Sequence, residues 1–291
     1  MLSRRARLTT MLGVMLAICA GGAARAADAP TGLVDDPCVG AAEVPPAIRA
    51  IVAARYHPEA GKPAPQIDPE QLKAYQAAQA DSAKRDWPNL CKYRADNARL
   101  TAGPAAGRRV VFMGDSITEG WGVADAAFFS DGVVNRGISG QTTPQMLVRF
   151  EADVIALRPA VVHIMAGTND IAGNTGPTSA DAIRNNLAAM ATLARAGGAK
   201  VILASVPPAA KLFWNPSLPP APPKIAELNA WLKAYAARED FIYADYHTPL
   251  STPDGAMKPE LTLDGVHPNA KGYAVIEPLA RDAIRRALAK K

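Results

Sequence analysis

Serine, histidine and aspartate occur in this 291-residue chain at spacings that suit acyl transfer. Gly114-Asp115-Ser116-Ile117-Thr118 follows the apolar run Val110 to Met113. A serine where a strand turns into a helix exposes its hydroxyl, and the NH groups of the helix start favour developing negative charge. Gly-Asp-Ser alone also makes an ordinary turn and helix cap. Late in the chain comes Asp264-Gly265-Val266-His267-Pro268. An aspartate three residues before a histidine in a tight loop can accept the Nδ1 proton, leaving Nε2 to take a proton from serine. The bland alternative makes His267 a cap or core histidine and Asp264 a turn residue. Of the other histidines, His163 sits mid-strand among Val and Ile and reads as core, and His57 lies far upstream. His247 lacks an acid at the same spacing, so Asp245 and His247 form only a reserve pair.

An activated serine also needs donors for the oxygen of a tetrahedral intermediate, and losing one costs roughly 10² to 10³ in rate. Two loops offer them. Asn135-Arg136-Gly137-Ile138-Ser139-Gly140 follows a second apolar run, where glycine permits close backbone approach. Gly167-Thr168-Asn169-Asp170 follows a third, where an asparagine side chain can donate. Either loop alone reads equally well as a turn; a shared position with Ser116 at one sheet edge gives them weight.

A parallel sheet is the element that would bring these loops together. From Arg108 onward, apolar runs (Val110 to Met113, Val133 to Asn135, Val161 to Met165, Val201 to Val206 and Phe241 to Ala244) alternate with amphipathic stretches. The stretches lie near Pro144 to Leu157, Ser179 to Ala196, Pro223 to Arg238 and Asn269 to Ala289, with Ser179 and Asn269 as predicted N-caps. Runs that are apolar throughout are strands covered on both faces. Right-handed crossovers then give an α/β fold of three layers, α/β/α, with reacting groups in loops beyond the carboxyl ends of the strands.

This domain is expected over residues 106–291. Residues 27–105 differ: proline and alanine are frequent, strand-like runs are absent, and one helical pattern spans Pro69 to Arg85. They read as an N-terminal extension of helix and coil packed on the main domain, with Pro45-Pro46 and Lys62 to Pro69 as ordered coil. Residues 1–26 have the layout of a secretory signal peptide: Arg4, Arg5 and Arg7, an uncharged stretch from Leu8 to Ala24, then Ala24-Arg25-Ala26. Cleavage removes four arginines and no acids, taking Lys+Arg from 32 to 28 against 27 Asp+Glu. The nearly neutral remainder has no basic stripe for nucleic acid, and the apolar stretch, broken by Gly13, Gly21 and Gly22, is too weak for a membrane anchor. Cys38 and Cys91 remain and, in an exported chain, read as a disulfide worth about 3 to 4 kcal/mol. No cysteine or histidine spacing fits a metal.

The four blocks, in this order, resemble the SGNH/GDSL hydrolases over about residues 108 to 289, and not over the extension. The resemblance implies a flavodoxin-like fold, a Ser116 nucleophile, His267 as base, Asp264 as its orienting acid, and no metal or organic cofactor. It implies an oxyanion hole of the Ser116 and Gly140 NH groups with the Asn169 side chain. Gly140 is preferred to Gly137 because the family's glycine precedes a polar residue and a Ser/Thr, here Gln141 and Thr142. The sequence lacks the Gly-x-Ser-x-Gly elbow of ordinary α/β hydrolases.

The proline-rich segment Pro207 to Pro223 carries Phe213-Trp214, expected as a pocket wall or a packed surface loop. Trp121 is a further substrate-contact candidate that reads equally as helix core. The whole is expected to be a secreted or periplasmic serine esterase that cleaves short acyl esters, with O-acetyl groups on carbohydrate as the leading substrate. Alternatives are a lysophospholipase or thioesterase, or an O-acetyltransferase using the same acyl-enzyme. A non-catalytic glycan-binding module is opposed by the intact Ser, Asn and Asp-x-x-His set.

Overall fold

A computed structural model describes residues 32–41, 43–60 and 65–290, so the leader expected over 1–26 lies outside the described residues. Residues 32–39 are bend and turn, and the chain from Gly40 onward forms one compact unit. Cys38 and Cys91 are both disulfide-bonded, as expected. Among the described residues no helix is long and apolar enough to cross a membrane.

The unit opens with α1 (Pro46–Tyr56), α2 (Pro69–Arg85) and α3 (Arg94–Ala102). It continues β1 (Val110–Gly114), α4 (Ser116–Ala124), β2 (Val133–Gly137), α5 (Thr143–Asp153), β3 (Val161–Met165) and the short α6 (Thr168–Ile171). Then follow α7 (Ala180–Ala196), β4 (Lys200–Ala204), α8 (Pro222–Arg238), β5 (Ile242–Ala244), the short α9 (His247–Leu250) and α10 (Ala270–Ala289). Ser179 and Asn269 cap α7 and α10, accepting from Ala182 N and Gly272 N.

All five strands pair in parallel in the order β2-β1-β3-β4-β5. Alternate residues feed two cores. Val111, Met113, Val162, Ile164 and Leu203 pack under α5, α7 and α8. Val110, Phe112, Met165, Ile202 and Ala244 pack under α4, α9 and α10, with Tyr56 of α1 joining them. The expected three-layer fold is therefore present. The chain leaves β1 toward β2 on one side and β3 toward β4 on the other. The carboxyl ends of β1 and β3 consequently flank the crevice where such sheets bind ligands.

The extension departs from expectation. Pro46, expected in coil, opens α1, because proline at the first helical position has its φ preset and its missing NH costs nothing there. The polar α3 has no apolar periodicity to announce it. Tertiary bonds hold it instead: Asn97 donates to Asp153 Oδ1 (2.6 Å) and the Ala152 carbonyl (3.1 Å) and accepts from Arg136 Nε (2.9 Å). β4 stops at Ala204 rather than Val206, since Ser205 N still reaches the Ala244 carbonyl (2.9 Å) but Val206 N turns to the Asn229 side chain (2.7 Å). The stretch expected to run on to Leu157 as one helix breaks after Asp153 into a 3-10 turn closed by Arg158 in the left-handed region at φ 53°.

Candidate active site

Ser116 begins α4 directly beyond β1, where a backbone NH has no helical carbonyl to bond. Gly114 makes the turn possible: a Cβ there would lie 2.0 Å from Thr118 Oγ1 and 2.9 Å from the Met165 carbonyl. Asp115 caps the helix, accepting from Ile117 N (2.9 Å). Burial pushes its carboxyl up to about 6, against the lowering effect of that cap bond.

The Ser116 hydroxyl lies 2.9 Å from His267 Nε2. His267 sits in a loop closed on itself: Leu263 N and Thr262 Oγ1 both donate to its carbonyl (2.8 Å each), and Gly265 takes φ 88° at the tip. Asp264 Oδ1 accepts from Val266 N (3.2 Å) and His267 N (2.9 Å), which fixes the carboxylate before it meets the ring. Both its oxygens then approach His267 Nδ1, at 3.0 and 2.9 Å. Burial works to raise this carboxyl, but the bonds and charge of His267 outweigh it and hold Asp264 well below the usual carboxylate range. An ionised acceptor on Nδ1 selects the tautomer in which Nε2 carries a lone pair toward the serine. Serine, imidazole and carboxylate thus stand in one hydrogen-bonded row.

The two donor loops are cross-linked beside it. Asn169 Nδ2 donates to the Gln141 carbonyl (3.0 Å) and, at 3.3 Å, to Asp115 Oδ2. Its Oδ1 accepts from Asn174 Nδ2 (2.9 Å), which fixes the edge of the amide that donates. Asn174 Nδ2 also reaches the Gly140 carbonyl (3.0 Å). Asp170 accepts from Thr143 N and Oγ1, tying the third loop to the start of α5. The two glycines of the second block differ. A Cβ at Gly137 would strike Glu119 N at 2.2 Å, a packing requirement, whereas a Cβ at Gly140, which takes φ 78°, would meet Asn174 Nδ2 at an ordinary 3.9 Å.

Sequence reading missed the residues behind these loops. Arg149, fully buried on α5, donates to the Gly114 carbonyl (3.1 Å), the Arg136 carbonyl (2.8 Å) and Gln141 Oε1 (2.5 Å), while pairing with Asp153 (2.9 Å). One guanidinium thus binds the ends of β1 and β2 together. The available signal was a charged i, i+4 pair on the apolar stripe of Met146 and Phe150. Glu119 accepts from Ser139 N (2.7 Å) and Oγ (2.6 Å) and pairs with Lys92. Arg55 of α1 donates to Asp264 Oδ2 (3.1 Å).

Trp121 is not at the surface of the site. It is 0 % exposed, stacked on Phe128 (4.9 Å) and Tyr273 (5.4 Å) and edge-on to Phe112. It faces inward from α4 because an indole buries more apolar area than any neighbour on that helix, so its expected substrate contact is withdrawn. Phe213 and Trp214 are 54 % and 37 % exposed, and the Trp214 ring lies 6.4 Å from that of His267. Trp214 Nε1 donates to Asn174 Oδ1 (2.8 Å), linking the aromatic loop to Asn169. In the reserve pair, Asp245 instead accepts from Thr248 N and Oγ1 at the start of α9.

The chain matches the GDSL-like Lipase/Acylhydrolase family over residues 112–275. It is 30% identical over 179 residues to esterase TesA of Pseudomonas aeruginosa, covering 56% of this chain and 81% of that one. Similarity to an acetylxylan esterase of Geobacillus stearothermophilus is 36% over 90 residues, 23% of this chain and 41% of the other. A solved GDSL-like lipase from Bacteroides thetaiotaomicron superposes with a TM-score of 0.67 at 46% identity, over 69% of this chain and 99% of its own. The chain therefore belongs to the GDSL-like lipase/acylhydrolase family and is a carboxylic ester hydrolase.

Proposed function

We propose that this protein is an exported serine esterase that removes short acyl groups, acetyl first among them, from carbohydrate, with Ser116, His267 and Asp264 as its catalytic triad. The observation that carries the triad is the 2.9 Å approach of Ser116 Oγ to His267 Nε2 while both Asp264 oxygens face Nδ1. His267 takes the hydroxyl proton as Ser116 Oγ attacks the ester carbonyl. The oxyanion is received by the NH groups of Ser116 and Gly140 and by Asn169 Nδ2, whose 3.3 Å bond to Asp115 is the looser of its two and is exchanged for the substrate oxygen. The tetrahedral intermediate collapses, His267 returns its proton to the leaving alcohol, and an acyl-serine remains. Water, deprotonated by His267, then releases the carboxylic acid and restores the serine.

The carbohydrate reading is supported by the exposed Phe213 and Trp214 beside His267 and by the partial similarity to an acetylxylan esterase. Export is supported by the leader pattern of residues 1–26 and by the disulfide-bonded Cys38 and Cys91. The test is hydrolysis of p-nitrophenyl acetate, butyrate and octanoate by the protein lacking residues 1–26, alongside Ser116→Ala. Acetate is expected to be the best of the three, with all turnover lost in Ser116→Ala. A maximum at octanoate would move the substrate to lipids, and full activity in Ser116→Ala would remove the triad.

A further inference from the structure

The last turn of α1, outside the region of family similarity, reaches the catalytic carboxylate. Three consecutive residues dock there. Tyr56 is buried, its ring 6.0 Å from that of Tyr273, and its hydroxyl fills the space left by Gly120, where a Cβ would lie 2.1 Å away. His57 Nε2 donates to the Val123 carbonyl at the end of α4 (2.9 Å). Between these anchors and the helix, Arg55 places a guanidinium 3.1 Å from Asp264 Oδ2, the oxygen that also lies 2.9 Å from His267 Nδ1. The carboxylate is thus shared by two cationic partners, one permanent and one formed only when His267 takes the serine proton.

We propose that Arg55, supplied by the extension, acts on the acid–base pair through its charge, partly neutralising the Asp264 carboxylate that faces His267. The inference rests on the triad reading above. A lone carboxylate attracts a proton onto its imidazole partner and would disable the base as pH falls; a second cation on that carboxylate weakens the attraction. Arg55 thereby keeps His267 free as a base to lower pH. Because its side chain is 53 % exposed, water and salt damp the effect, and roughly half a pH unit is the expected size. The other titratable groups around the pair are Tyr56 from α1, Tyr273 from α10, and Asp115 and Glu119 flanking Ser116. Burial raises both tyrosines, which stay neutral across the working range, and the Arg55 substitutions leave Asp115 and Glu119 in place.

The experiment is the pH profile of kcat/KM for p-nitrophenyl acetate in wild type, Arg55→Gln, Arg55→Lys and Ser116→Ala. Arg55→Gln is expected to move the acid limb up by about half a unit with the plateau within about threefold of wild type, and Arg55→Lys to restore the limb. An Arg55→Gln limb that coincides with wild type, a uniform loss at every pH, or a limb that Arg55→Lys does not restore would overturn the role of Arg55. Residual activity in Ser116→Ala would instead overturn the triad, so the two failures are distinguishable.

Discussion

Two histidines in this molecule have opposite surroundings. His163, in the middle of β3, is 0 % exposed, stacked on Phe112 at 4.1 Å, with Nε2 against the Tyr246 hydroxyl at 3.0 Å. Phe112, Phe128 and Trp121 fill this side of the sheet. Burial drives His163 down to about 3, so it is a neutral aromatic ring of the core at any ordinary pH. His267, in the loop before α10, keeps some solvent contact and has a carboxylate on one nitrogen and a serine on the other. Burial alone turns a histidine into packing; a fixed anionic acceptor on Nδ1 leaves Nε2 facing the serine with the lone pair that the proposed base needs.

The largest expected effect comes from removing the partnered ring. His267→Ala should lower kcat/KM for p-nitrophenyl acetate by roughly 10⁴ or more, with little change in melting temperature, because the side chain lies in a loop at the rim of the site. Activity within tenfold of wild type would mean that another group serves as base. Asp264→Asn keeps the shape but lets an amide face Nδ1, favouring the wrong tautomer, and is expected to cost roughly 10² to 10⁴ in kcat. If its loss proved less than threefold, the carboxylate would be ornamental to the reaction.

His163→Phe tests the other side of the contrast. The change should leave the pH 7 rate on p-nitrophenyl acetate within about threefold while costing about 1–3 kcal/mol in urea unfolding, from the orphaned Tyr246 hydroxyl. Its signature is in the pH dependence. Because the folded pKa is depressed from 6.5 to about 3, the unfolded chain takes up a proton that the folded chain refuses. His163 therefore contributes stability that is fully present above pH 6.5 and lost as pH falls toward 3. Between pH 7 and pH 5 the wild type should lose about 2 kcal/mol more than His163→Phe. Parallel losses in the two proteins would show that the buried ring accepts a proton when folded.

The smallest change concerns the ring that stands against His267. Trp214→Ala should raise KM for an acetylated xylo-oligosaccharide by roughly 3–10-fold while leaving p-nitrophenyl acetate nearly unaffected, the range an aromatic contact contributes. Equal effects on both substrates would assign Trp214 to holding Asn174, and no effect on either would leave it a surface residue.

The meeting of Ser116, His267 and Asp264 was legible because each sits in a short segment whose local chemistry is complete. Asp264 caps its own loop through Val266 N and His267 N before it meets the ring, and Asp115 caps α4 through Ile117 N, so both motifs predict their own geometry. Trp121 was ambiguous because helical spacing does not say which side of α4 faces the sheet. Arg149 and Asn174 act across 35 and 34 residues of chain, on the Gly114 and Gly140 carbonyls, and no local pattern records such partners.

By itself, the sequence determined the three-layer α/β architecture and singled out the loops and the Ser116, His267 and Asp264 side chains that the fold brings together. Apolar runs, N-caps and Asp-x-x-His are local constraints written in neighbouring residues. Only the tertiary structure decided what supports and shares the site: Arg55 on Asp264, Glu119 on Ser139, Arg149 between β1 and β2, and Trp214 against His267. Each of these contacts joins segments brought together by sheet order, and burial and charge pairing at such meetings depend on the whole packed chain rather than on any window of it.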